Sequence, residues 1–162
     1  MSTPTGPLPE DFSDLTTLVP QLKAVQRPAG LSESSLETLY ATGFDHLKEG
    51  LFDKALKVFQ LLFSYVPGDA RFSAGVAHSL MGQKQHELAS GWFTLACALD
   101  EDNAGYQLSL SKAYLGCGHR QLARLSLRVA RLNADDSPAG QRIRQQATAL
   151  LALIERNDAV AA

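Results

Sequence analysis

The chain has 162 residues, 45% hydrophobic and 20% charged, enough for one hydrophobic core and short for two. A formal net charge of −2 supplies no basic field, so nucleic acid is not an expected partner. No apolar run approaches the roughly 20 residues of a membrane helix, and residues 1–10 carry three prolines and no positive side chain, unlike a secretory leader. The expectation is a cytoplasmic protein that does not insert into membranes.

In chain order, residues 1–11 are rich in Pro, Thr and Gly and read as disordered. Phe12, Leu15, Leu18, Val19, Leu22 and Val25 then recur at helical spacing, which predicts an amphipathic helical segment over 12–29. Pro20 lies inside it and predicts a kink or two short helices. Those six apolar residues exceed what a tail should expose, so they are the candidate contact of a weak homodimer; packing back onto the following helices is the alternative. Pro28 and Gly30 punctuate the chain before Ser34-x-x-Glu37, a capping-box pattern expected to open the next helix.

From there the sequence repeats. Ala55, Ala89 and Ala123 stand 34 residues apart, each with a small residue twelve earlier (Gly43, Ala77, Ser111), a large apolar residue four later (Phe59, Phe93, Leu127) and a capping-type residue fourteen later (Asp69, Asn103, Ser137). Small residues let two helices approach closely while the large one fills the gap between neighbouring pairs. Asp69, Asn103 and Ser137 are predicted N-caps. Gly50 and Gly118 are predicted C-capping turns, with Lys84 at the corresponding place in between. Pro138 suits the first turn of a last helix over 138–156, whose Ile143, Ala147, Leu150, Leu151 and Ile154 form one stripe.

This pattern resembles the tetratricopeptide repeat. The resemblance implies an all-α fold in which three tandem helix-turn-helix repeats, 36–69, 70–103 and 104–137, form a right-handed solenoid within a domain spanning 30–156. The helical segment 12–29 precedes the repeats, and the helix 138–156 caps the exposed end. Repeat three departs from the pattern by carrying Asp135 where repeat one has Pro67.

Signatures of catalysis are missing: there is no GxxxxGK[ST], GxGxxG, HExxH or GxSxG. Cys97 and Cys117 lack metal-ligand spacing and read as reduced packing residues. His46 occupies a packing column, and His86 and His119 fall near turns. His78 lies on a column facing the inner groove. The carboxylates Glu33, Glu37, Asp100, Glu101 and Asp102 sit where helix starts and loops use them for capping and solubility. The chain is therefore not expected to be an enzyme, and no cofactor or metal is expected.

In such repeats the inner groove is lined mainly by first helices. The lining columns give Glu37, Tyr40, Phe44, Leu47 and Lys48 from repeat one, and Arg71, Ala74, His78, Met81 and Gly82 from repeat two. Repeat three adds Leu108, Lys112 and Leu115. Lys48, Arg71 and Lys112 read as isolated charges on an aromatic and aliphatic face, as a peptide site requires. The alternative is that Tyr40 and Phe44 pack against the N-terminal segment.

That lining lacks the Lys, Asn and Arg clamp with which repeat adaptors grip the C-terminal carboxylate of heat-shock chaperones; Tyr40, Phe44, Gly75 and Ser109 stand at such places. Residues 30–155, from the stretch 30–41 (GLSESSLETLYA) through Gly50, Ala55, Phe59 and Leu62 to Phe63 and Tyr65, resemble the class II chaperones of bacterial type III secretion. The resemblance implies a cytoplasmic chaperone that holds an extended N-terminal segment of a hydrophobic translocator protein in its concave groove, keeping it soluble for export. Tyr40, Phe44 and Leu47 match the family's groove-lining positions, and family members usually dimerise through an N-terminal helix. A co-chaperone of a type III needle subunit and a generic peptide-binding adaptor are the alternatives.

Overall fold

The computed structural model describes residues 14–162, so the expectations for residues 1–11 and for Phe12 lie outside the described residues. These form eight helices: α1 (Leu15–Ala24), α2 (Glu33–Lys48), α3 (Phe52–Tyr65), α4 (Ala70–Gly82), α5 (His86–Leu99), α6 (Ala104–Gly116), α7 (Arg120–Asn133) and α8 (Pro138–Ala161). There is no strand among the described residues, and none of the helices is long and apolar enough to cross a membrane. They fall into two compact units, one ending at Leu99 and one beginning at Asp100.

The 34-residue columns are the core. Ala55, Ala89 and Ala123 are all fully buried, as are Ala77 and Ser111, and Phe59, Phe93 and Leu127 are at most 1% exposed. In the first unit the Phe59 ring fills the space beside two glycines. A Cβ at Gly75 would stand 2.2 Å from that ring, and one at Gly43 would stand 2.9 Å from it. Phe72, Val76, Trp92 and Leu95 complete this core, with Trp92 edge-on to Phe63 at 5.0 Å between centroids. In the second unit Leu108, Ala123, Leu127 and Ala130 pack with Ala147, Leu151 and Ile154 of α8. Burying such side chains is worth roughly 1.5–3 kcal/mol each for the larger ones, which no surface contact matches.

The turns inside the helix pairs repeat hydrogen bond for hydrogen bond. Leu51, Gln85 and His119 donate their backbone N–H to the carbonyls of His46, Leu80 and Tyr114 at 2.9, 2.9 and 2.8 Å, while Gly50, Lys84 and Gly118 donate to Leu47, Met81 and Leu115. This is the Schellman arrangement, which needs a left-handed residue at its second-last position. Gly50 and Gly118 meet that need at φ 74° and 78°; Lys84 is forced to φ 62°. The expected N-caps form too: the side chains of Asp69, Asn103 and Ser137 accept from the backbone N–H of Arg71, Tyr106 and Gly140.

The structure differs from the sequence reading at the two N-terminal helices. The capping box at Ser34 does not open α2. Ser32 caps it instead, accepting from Ser35 N–H at 3.1 Å, and Glu33 in the first turn pairs with Arg27 at 2.6 Å. Ser32, Ser34 and Ser35 are all N-cap types; capping from Ser32 brings Glu33 into the first turn, where it pairs with Arg27. Of the two expectations at Pro20, a kink or two short helices, the second does not hold. α1 runs through it, giving up one backbone bond while Asp14 caps its start. α1 packs against α5, and its end abuts the turn before α4, where a Cβ at Gly68 would lie 2.9 Å from Lys23 Cα.

Candidate functional site

Helices α2 and α4 lie side by side in the first unit and carry most of the candidate groove residues. The aromatic part is built on α2. The Tyr40 ring is half-buried, edge-on to Phe59 at 5.9 Å and 6.1 Å from Phe72, so the core fixes its position. Phe44, one turn on, stacks beside it at 6.4 Å and is 46% exposed. An aromatic ring that is held at one edge and open on the other offers apolar surface without an ordering cost at binding. Leu47 is half-buried on the same face.

The three cations are not isolated. Arg71 is gripped by Asp69 through contacts of 2.8 to 3.2 Å and by Glu37 at 2.9 Å, and its guanidinium lies 5.1 Å from the Tyr40 ring centroid. The hydrogen bonds to Asp69 are the main reason its pKa is raised above the ordinary arginine value, so it stays charged and engaged. Burial, opposed by Arg71, pushes the Tyr40 hydroxyl up as well. Lys48 lies 4.7 Å from the Phe44 ring centroid and 3.6 Å from Asp45. Lys112 donates to Gln146 at 3.3 Å. Each basic side chain has an acceptor within one turn or one repeat, a proximity that residue type alone does not reveal.

On α4, His78 is exposed with its ring edge-on to Phe93 at 4.8 Å, and Met81 is half-buried with its sulfur 3.4 Å from His86 Nδ1. Ala74, by contrast, is 4% exposed and offers a ligand almost no surface. The same holds for Leu108 in the second unit, which sits in the core with Leu127 and Ile154; Leu115 packs half-buried against that core. A small column residue or a leucine at the first-helix midpoint is drawn into the pair's own core where nothing larger props the helices apart. His46 is half-buried, as its column suggested, and Cys97 and Cys117 are separate thiols.

The described N-terminal helix does not cover the aromatic pair: it lies against α5, and Phe44 keeps its exposed face. Of the α1 stripe, Leu15, Leu18, Val19 and Leu22 are half-buried and Val25 is 47% exposed.

No protein-family profile matches the chain. Low calcium response locus protein H of Yersinia pseudotuberculosis is 24% identical over 125 residues, spanning 77% of this chain and 74% of that protein. PcrH from Pseudomonas aeruginosa is 29% identical with a TM-score of 0.74, over 82% of this chain and 98% of PcrH. PcrH in complex with the chaperone binding region of PopB is also 29% identical, with a TM-score of 0.72 over 78% of this chain and 100% of that one. The translocator chaperone SycD of Yersinia enterocolitica, in an alternative dimer, superposes with a TM-score of 0.75 at 22% identity, over 80% of this chain and 98% of SycD. The chain is similar to the type III secretion translocator chaperones.

In this translocator-chaperone-like chain, sequence reasoning placed Glu37 on the lining and Asp69 at a cap but missed that together they immobilise Arg71. Their signal was available: Glu37 and Arg71 are 34 residues apart, as are Lys112 and Gln146 and the ion pair of Arg124 with Asp158. One repeat length brings opposite or complementary polar groups onto neighbouring helices.

Proposed function

We propose that this chain is a cytoplasmic secretion chaperone, without a catalytic step, that binds an extended N-terminal segment of hydrophobic type III translocator proteins and keeps them soluble and export-competent. The Tyr40 and Phe44 pair carries this reading: core-anchored aromatic surface on α2, with Tyr40 half-buried and Phe44 46% exposed. Leu47, Lys48, His78 and Met81 extend that surface in the first unit, with Arg71 beneath Tyr40 held rigid by its carboxylates. Lys112 and Leu115 occupy the equivalent columns in the second unit. The binding of PopB's chaperone binding region by PcrH supports the client class.

The mechanism is masking. An extended segment lays spaced apolar side chains against the aromatic face, at a smaller ordering cost than docking a folded domain, and leaves the rest of the client unfolded for export. What remains open of the α1 stripe, Val25 above all, supports a weak homodimer contact in addition.

Co-expression with a translocator followed by pull-down tests the client, and titration of its N-terminal segment tests the site. Tyr40→Glu or Phe44→Glu should abolish binding with helicity retained, since one buried apolar anchor carries about 2 kcal/mol or more. Wild-type affinity in both variants would place the client elsewhere, and recovery of a short helical needle subunit alone would overturn the translocator assignment. Deleting residues 1–29 should turn a dimer into a monomer by light scattering; an unchanged mass would remove the dimer from this reading.

A further inference from the structure

Helix α7 has an outer face that its own repeat does not use. Leu122, Leu125, Val129 and Leu132 are 44%, 56%, 36% and 81% exposed. Their 3-4-3 spacing places them in one narrow row along about 15 Å of helix, the seam by which one helix packs against a single partner helix. The repeat fold does not require this row: repeat one carries Lys54, Lys57, Leu61 and Ser64 at the same columns.

The charge beside the row is equally one-sided. α7 contains four arginines and no acidic residue, in a chain whose net charge is −2. Arg120 and Arg124 are engaged by Asp158. Arg128 and Arg131 are exposed and, among the described residues, have no ion-pair partner. Arg128 is one turn from both Leu125 and Leu132, so it borders the seam. In repeat two the equivalent face is partly covered: α1 of this same chain, an amphipathic helix, packs against α5, and Leu95, at the column of Val129, is fully buried, while Leu88, at the column of Leu122, is 56% exposed.

We propose that the outer face of α7 is a docking site for an acidic amphipathic helix of a partner protein. Its leucines would interdigitate with Leu122, Leu125, Val129 and Leu132, and its glutamates or aspartates would pair with Arg128, the arginine that flanks the row. Lipid is disfavoured as occupant, because a membrane-surface helix buries an apolar face rich in Trp, Phe and Leu, whereas this row is one narrow seam without an aromatic residue. A second copy of α7 is disfavoured because it would bring Arg128 against its own kind without any acid to offset it.

The probe is a synthetic three-heptad peptide with Leu at the seam and Glu at the flanks, used below its self-association concentration, beside its counterpart with Lys flanks. Titrated against the full chain, the acidic peptide should bind about tenfold or more tighter than the basic one, because complementary charge sets partner choice. Leu125→Glu with Leu132→Glu should remove at least about tenfold of that affinity. Arg128→Glu should remove the preference for the acidic peptide over the basic one. Phe44→Glu should leave all of this unchanged, which separates the result from the groove. Equal binding of both peptides, or none, overturns the proposal. So does loss of a dimer in the Leu125→Glu, Leu132→Glu variant, which would assign the face to self-association. Arginine-dependent adsorption to phosphatidylglycerol vesicles with no peptide binding would assign it to a membrane surface.

Discussion

Repeats one and three share their buried columns and their turn hydrogen bonds, yet expose apolar surface on opposite members of the helix pair. In repeat one the first helix, α2, presents Tyr40 and Phe44, while its second helix carries Lys54 and Lys57 outward and exposes a single leucine, Leu61, on those columns. In repeat three the first helix draws Leu108 into the core and shows Lys112, while the second helix, α7, exposes Leu122, Leu125 and Leu132. One backbone plan thus supports two kinds of adhesive face. The columns that make the core are indifferent to what stands on the other sides of each helix.

The largest effect that can break this comparison lies in the shared columns. Ala55→Trp, Ala89→Trp and Ala123→Trp should each cost about 3 kcal/mol by overpacking a site with no free volume. Thermal melts followed by circular dichroism should fall comparably in all three. Tolerance of Ala123→Trp alone would mean that repeat three is not built as repeat one is.

Binding sharpens the contrast next. Phe44→Glu should reduce translocator-peptide affinity by about 2 kcal/mol, whereas Lys112→Glu, one exposed cation bonded to Gln146, should change it by less than about 1 kcal/mol. Calorimetric titration in which both variants lose equally would spread the site over both repeats.

A smaller effect sits in the turns. Lys84 adopts φ 62° where the other two turns have glycine. A non-glycine residue there carries roughly 1 kcal/mol of strain, so Lys84→Gly should stabilise by a fraction of that, offset by the entropy of the unfolded chain. Gly50→Ala and Gly118→Ala should destabilise. A Lys84→Gly variant that melts lower than wild type would show that the lysine side chain contributes something the turn geometry does not.

The smallest concerns Asp135, the residue at which repeat three departs from repeat one. It accepts from the hydroxyl and backbone N–H of Ser137, and those bonds hold its carboxyl below the ordinary value. A depressed carboxyl stabilises the folded state above the ordinary carboxylate pKa near about 3.9 and loses that contribution as pH falls below it. Wild type should therefore melt above Asp135→Asn at neutral pH, with the gap closing in acid; a constant gap would assign the difference to packing.

Much of this was already legible in the residues. The 34-residue columns, the caps at Asp69, Asn103 and Ser137 and the left-handed turns at Gly50, Lys84 and Gly118 follow from local chemistry: helix period, side-chain size and which backbone groups a short polar side chain can reach. Those forces act within one or two turns, so sequence determines them. The tertiary structure decided that Glu37 of α2, one repeat length away, joins Asp69 in holding Arg71, and that Leu108 turns inward while Phe44 stays open. Each of these depends on what a neighbouring helix places within about 3 to 6 Å, a distance at which hydrogen bonds and ring contacts compete and residue type no longer selects the winner.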